Sequence, residues 1–273
     1  MSPKQLSLET PRSPVAAAGC RGVARAAALM SVLMVPLASS GNSLKERVGY
    51  AYDSGSGALI YTEHHQEWWN GGQILRDTVT YRDAQGRIIG EKHVHFRNRE
   101  NAPEFVLRNI RTGHSEAAKM DSDEVEVSFR RSQGEPEKKK TMDLPDSAIV
   151  DAGFDRFVEN NWEALIQGEA FVQPFLVPSR LQFIDFRIVR IDDGSDPDRV
   201  TFEMAVDSAL LRFIVPAIAV VYSTRDRSLV EYDGVSNLRD ARGRNLDVEI
   251  RFDPSRKEMS AASGPDSNHG TVN

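Results

Sequence analysis

The sequence predicts a mainly β fold (β-rich α+β): one large curved antiparallel sheet, a half-barrel or open barrel, with an inserted amphipathic helix packed on its concave face. Three observations carry this expectation. From Val48 onward apolar and polar residues alternate with period two, as in a sheet with one buried face. Clusters of turn residues, Ser54-Gly55-Ser56-Gly57, Asn70-Gly71-Gly72, Asp83-Ala84-Gln85-Gly86 and Asp193-Gly194, cut the alternation at hairpin spacing. One stretch, residues 151–167, switches to helical spacing instead.

In chain order the expected strands cover 47–53, 58–69, 73–82, 87–96, 104–112, 124–131, 181–192, 199–207, 217–224, 228–238 and 245–252. Arg82-Asp83-Ala84-Gln85-Gly86-Arg87 and Arg239-Asp240-Ala241-Arg242-Gly243-Arg244 match at five of six positions, each between two strand-like runs. Asp opening a type I turn and Gly supplying a positive φ explain both as shared turn chemistry.

Within 151–167, Phe154, Phe157, Val158, Trp162 and Leu165 form one stripe, with Asp151 placed as N-cap and Gly168 as stop. Residues 209–221 are almost continuously apolar; Ser208 caps a short helix over 209–215, and Pro216 ends it before a buried strand. A bilayer-spanning helix takes about 20 residues, so these thirteen, with Arg212 inside, do not span one. Gln133–Lys140 reads as a solvated loop and residues 254–273 as a disordered tail, leaving 41–253 as a single β-rich domain.

The chain has 273 residues, 34 Lys+Arg against 40 Asp+Glu, 40% hydrophobic residues and one Cys. That apolar share excludes wholesale disorder, a mean hydropathy of -0.43 excludes a polytopic membrane protein, and the acidic balance speaks against nucleic acid as a partner. Lys4, Arg12, Arg21 and Arg25 precede a twelve-residue apolar run, Ala26–Leu37, followed by Ala38-Ser39-Ser40-Gly41. Basic segment, short apolar run and small-residue cleavage site read as a signal peptide over 1–40 and as export, to the periplasm. No apolar segment precedes Cys20, so it lacks the setting of a lipoprotein processing box. Cleavage after Ser40 leaves 30 basic and 39 acidic residues and no Cys, so no disulfide and no thiol chemistry.

His64-His65 and His93-Val94-His95 fall on strands, and a metal would need a third ligand across about 9 to 10 Å of sheet; they read as a polar outer face. Asp192–Asp198 offers oxygens around Gly194 but lacks the length and closing Glu of a calcium loop. There is no Gly-x-Ser-x-Gly elbow and no phosphate-cradling Gly loop. No catalytic residue, cofactor or metal is therefore expected, and an enzyme is the third reading.

Apolar side chains are the remaining candidate. Trp162, Phe171, Phe175 and Leu176, with Leu210, Leu211, Phe213 and Ile214, exceed what strand alternation requires. Either they fill the core between helix and sheet, or the curved sheet holds them apart as a groove for an acyl chain or a partner's apolar segment. Ten to twelve buried methylenes are worth roughly 8 to 10 kcal/mol gross, comparable to the cost of association. A headgroup contact, from Arg180 or Arg212, would have to add to it.

Leu229-Val230-Glu231-Tyr232-Asp233-Gly234-Val235-Ser236-Asn237-Leu238-Arg239-Asp240 with Gly243, and Leu210-Leu211-Arg212-Phe213-Ile214-Val215-Pro216 before it, resemble a family of uncharacterised exported bacterial proteins over most of 45–252. In outline the fold is also similar to the periplasmic lipoprotein-carrier half-barrel. The expectation is an exported soluble envelope protein that binds a lipid or other apolar ligand between sheet and helix. The alternative is a protein-interaction module that docks an envelope protein.

Overall fold

A computed structural model describes residues 41–97, 99–192, 194–208, 216–252 and 257–260. The expected signal peptide, the capped helix over 209–215 and the chain beyond 260 lie outside them.

The first half of the domain is a meander: β1 (Asn42–Asp53), β2 (Leu59–Asn70), β3 (Gln73–Asp83), β4 (Ile88–His95), β5 (Glu104–Asn109), β6 (Ser115–Asp121), β7 (Glu124–Arg130) and β8 (Lys138–Asp143). Two short helices follow, α1 (Gly153–Asn160) and α2 (Trp162–Ile166). The second half is another meander, β9 (Phe171–Val177), β10 (Gln182–Arg190), β11 (Arg199–Val206), β12 (Ile218–Ser223), β13 (Leu229–Arg239) and β14 (Asn245–Phe252). Pairing of β14 with β1 joins the two into one antiparallel sheet, ordered β8 to β1 and then β14 to β9. The sheet is not closed into a barrel: β8 and β9 are its two ends. Among the described residues no helix is long and apolar enough to cross a membrane.

Register shows why the period-two pattern works over so many strands. Phe202, Val220, Tyr232, Ile250, Ala51 and Tyr61 are successive cross-strand partners from β11 to β2. Directly paired residues share a face, so one continuous row lines the inside of the curve, and all of its members but the partly buried Tyr232 are buried. Both hairpins of the repeated hexapeptide are built alike. Asp83 Oδ1 accepts from the backbone N–H of Gln85 and Arg87, and Asp240 Oδ1 from those of Arg242 and Arg244. Gly86 and Gly243 take φ of 78° and 73°, which glycine adopts without steric cost.

The helical stripe is one face, as expected, but in two pieces. Phe154, Phe157, Val158, Trp162 and Leu165 are all buried against β10–β12, while the chain turns at Asn161 between α1 and α2. Gly168, at φ 87°, follows the end of α2. Asp151 does not cap: Ala152 is the N-cap residue, without a side-chain bond, and Asp151 pairs with Lys92 instead. A Cβ at Gly153 would overlap the Asn101 carbonyl, so only glycine lets α1 start this close to the chain beside it.

Three further expectations are corrected. Residues 138–140 are not loop but part of edge strand β8, bonded to β7; their lysines are exposed all the same. β6 and β9 are strands the alternation did not mark. β6 is built on Ala and Glu rather than branched residues, and β9 carries Pro174, which suits a sheet end where one side needs no ladder donor. There the Pro174 carbonyl accepts instead from Ile149, whose own carbonyl accepts from Leu176. Finally, β15 (Lys257–Ser260) pairs with Ser43–Glu46 of β1, so the sheet extends beyond residue 253 into the expected tail.

Lysine on an edge strand discourages pairing with another chain, because stacking two such edges desolvates like charges. Replacing Lys138 and Lys140 by Val removes that barrier. The variant should show a concentration-dependent rise in mass by light scattering that wild type does not.

Candidate functional site

The inward face of β1–β6 is not uniformly apolar. Arg47, His65, Val79, Lys92, Leu107 and Glu116 are successive cross-strand partners from β1 to β6, and the neighbouring row runs Lys45, Glu67, Asp77, Val94. Inward alternation therefore carries a band of charge into the interior. Glu67, His65, Asp77 and Lys92 are each under 10% exposed.

Arg47, His65 and Lys92 each have a counter-charge placed by the fold. Arg47 Nε lies 2.9 Å from Glu67 Oε1, and Arg47 Nη2 3.8 Å from Asp155 Oδ2. His65 Nδ1 is 2.8 Å from Asp77 Oδ2, and its Nε2 is 3.3 Å from Glu63 Oε2. Lys92 donates to Asp151 Oδ2 at 2.9 Å, and Asn237 donates to Asp151 Oδ1 at 3.1 Å. Asp151 reaches this position with φ at 46°, a left-handed conformation that Asp tolerates better than most residues. Tyr222 donates to Asp155 at 2.6 Å, which ties β12 to α1.

These surroundings shift the protonation equilibria. For His65, burial and the Arg47 charge oppose the imidazolium, yet Asp77 and Glu63 together outweigh them and raise its pKa above 6.5. Burial pushes Asp77 upward, but His65, Arg47 and Lys92 hold it below the ordinary carboxylate value of 3.8. Lys92, despite burial, is held protonated by Asp151, Glu63 and Asp77.

A stability profile follows. The raised His65 pKa gives stabilisation that is complete below about pH 6.5 and is lost as pH rises through the folded value. The depressed Asp77 pKa gives stabilisation present above about 3.8 and lost as pH falls through its folded value. Between about pH 6 and pH 9, the urea midpoint of wild type should therefore fall more than that of His65→Gln. Equal slopes in the two proteins would show that His65 does not titrate this way.

Beside the band lies a cavity of about 240 Å³. Glu63, His65, Asp77, Lys92, Glu116 and Asp151 are among its polar lining, and Phe175, Leu176, Met204, Val220, Ile250 and Phe252 among its apolar lining. At about 30 Å³ per water it has room for on the order of eight water-sized groups. A larger groove of about 660 Å³ shares Arg47, Asp77, Ala152, Asp155, Leu229 and Phe252 with it and continues past Trp69 toward Arg199 and Arg227.

No family model matches the chain, and no curated protein matches it. Solved structures do. It is similar to the crystal structure of a β-barrel-like protein of a domain of unknown function, DUF1849, from Brucella abortus, at 11% identity over 78% of this chain and 97% of that one, with a TM-score of 0.41. It is also similar to a DUF1329 family protein from Desulfovibrio piger, at 13% identity over 84% of this chain and 89% of that one, with a TM-score of 0.27. Uncharacterised bacterial proteins, one of them barrel-like, are thus what this chain resembles.

Of the residues expected to contact a ligand, Phe175 and Leu176 line the cavity. Trp162 is 4% exposed and set edge-on against Phe202 and Tyr222, as part of the filled core under α2. Phe171 packs edge-on against Phe157 in the same core. Arg180 is exposed on the turn between β9 and β10. Leu210, Leu211, Arg212, Phe213 and Ile214 lie outside the described residues. Among the described residues, the Lys and Arg side chains lining the cavity are Arg47 and Lys92, which sequence reasoning missed. His65 is also a correction, since it faces inward while His64, His93 and His95 take the other face. The signal was parity: Glu63, His65 and Glu67 share the strand face of Tyr61, the most buried aromatic of β2. Among the described residues no three His, Cys, Asp or Glu side chains are placed to share a metal ion; both His65 nitrogens already face carboxylates.

Proposed function

We propose that this chain is an exported envelope protein that holds one amphipathic molecule inside its curved sheet. The observation that carries the reading is a cavity lined by two chemistries: apolar side chains from β9, β11, β12 and β14, and paired charges from β2–β4 and the start of α1. A filled core would not leave room there, and a site for a fully polar molecule would not need Phe175, Leu176, Met204 and Ile250. The ligand's apolar part lies against those side chains and its polar end against the charged band. At about 240 Å³ the cavity takes a short apolar segment, so a longer chain continues into the adjoining groove. Export rests on the basic and apolar N-terminal segment, and the periplasm is the compartment it implies.

Native mass spectrometry of protein purified from a periplasmic extract tests this directly. A small molecule released on denaturation is the expected result. Met204→Trp, which fills the cavity at a packing cost of about 1–3 kcal/mol, should lose that molecule while its circular dichroism stays native. An empty protein that also ignores added amphiphiles would end the reading, and a stoichiometric protein in its place would favour a docking module.

A further inference from the structure

We infer that the polar end of the ligand is a cationic hydrogen-bond donor, an amine, rather than a phosphate or carboxylate. This rests on the cavity being a ligand site, as proposed above, and adds the chemical class. Five carboxylates line the cavity, Glu63, Asp77, Glu116, Asp151 and Asp155, against two permanent cations, Arg47 and Lys92, and His65. The cations are already paired: Lys92 hydrogen-bonds Asp151, His65 uses both ring nitrogens, and Arg47, whose Nε makes no hydrogen bond, is held in charge contact with Glu67 at 2.9 Å. An anion entering here would have to compete for those donors while facing the surplus carboxylates in a poorly solvated space, where unpaired like charge is expensive.

The opposite vacancy exists. Asp77 is 4% exposed, lines both the cavity and the groove, and keeps Oδ1 without a hydrogen-bond partner while Oδ2 holds His65. A buried carboxylate oxygen lacks a donor, and a ligand ammonium supplies one in the strong, charge-assisted form. The ring of Phe252, which already carries the Arg47 guanidinium at 4.7 Å, lines the same cavity and tolerates positive charge beside it. An amphipathic amine satisfies all three conditions: apolar body, positive head, surplus donors.

Octylamine, octanol and octanoate, three probes with one chain and three heads, separate the possibilities by calorimetry near pH 7. The amine should bind at least tenfold more tightly than octanoate, with octanol between them. Asp77→Asn should shrink the amine-to-octanol ratio severalfold while leaving octanol binding in place. Octanoate binding as well as or better than octylamine would overturn the amine assignment and leave the cavity reading standing. If none of the three binds, the cavity reading itself fails. Should Asp77→Asn not fold, the head-group order in wild type still decides.

Discussion

A Lys92→Met variant should lose about 3–5 kcal/mol of unfolding free energy in urea denaturation, the scale expected when one member of a buried ion pair is removed. Lys92 is 9% exposed, and its ammonium is 2.9 Å from Asp151. Without it, the Asp151 carboxylate remains buried near Glu63 and Asp77, with the Asn237 amide its remaining donor. The loss is large against a typical total of about 5–15 kcal/mol. Lys92→Met combined with Asp151→Asn removes both charges, and Asn also tolerates the left-handed backbone at that position. The double variant should recover most of the stability. A single variant within about 1 kcal/mol of wild type, well below the buried-pair range, would mean that the pair is far better solvated than its geometry indicates.

Trp162→Ala should cost a similar amount, about 3–5 kcal/mol, for a different reason. The indole sits edge-on 6.0 Å from the Phe202 ring and 6.3 Å from the Tyr222 ring, with the Arg227 guanidinium 5.3 Å over it. Its removal leaves a void between α2 and strands β11 and β12 that rigid neighbours cannot fill. Trp162→Phe should retain more than half of the lost stability in the same denaturation series. Because Trp162 does not line the cavity, ligand affinity per folded molecule should be unchanged in Trp162→Phe. A fall in affinity without a fall in stability would place the indole at the ligand instead of in the core.

The two variants also show where sequence reading succeeded and where it did not. Trp162 was visible as part of a stripe because helical spacing and apolar character coincide, and the stripe is buried from Phe154 to Leu165. Whether that stripe bounded a groove or filled a core depended on what stood opposite it, and Phe202 and Tyr222 arrive from strands 40 and 60 residues away. Lys92 gave no signal, since a lone Lys in an alternating strand ordinarily faces water. It faces inward because its strand's parity is set by Val94, and it is tolerable there because Asp151, 59 residues on, is brought to its ammonium. β8 escaped notice for the converse reason: apart from Met142 its side chains are polar and exposed, so its backbone bonds to β7 are what mark it as a strand.

Period-two alternation and turn residues by themselves determined a long antiparallel sheet with a helix on its inner face, because both are local consequences of side-chain direction and backbone freedom. The identical hydrogen bonding of the two Arg-Asp-Ala-x-Gly-Arg turns was equally local. Tertiary structure alone decided that β14 returns to β1, that the sheet stays open between β8 and β9, and that its interior is divided between packed core and charge-lined cavity. Those outcomes depend on which distant strands become neighbours and on the pairing of buried charges. A strand's own residues carry neither.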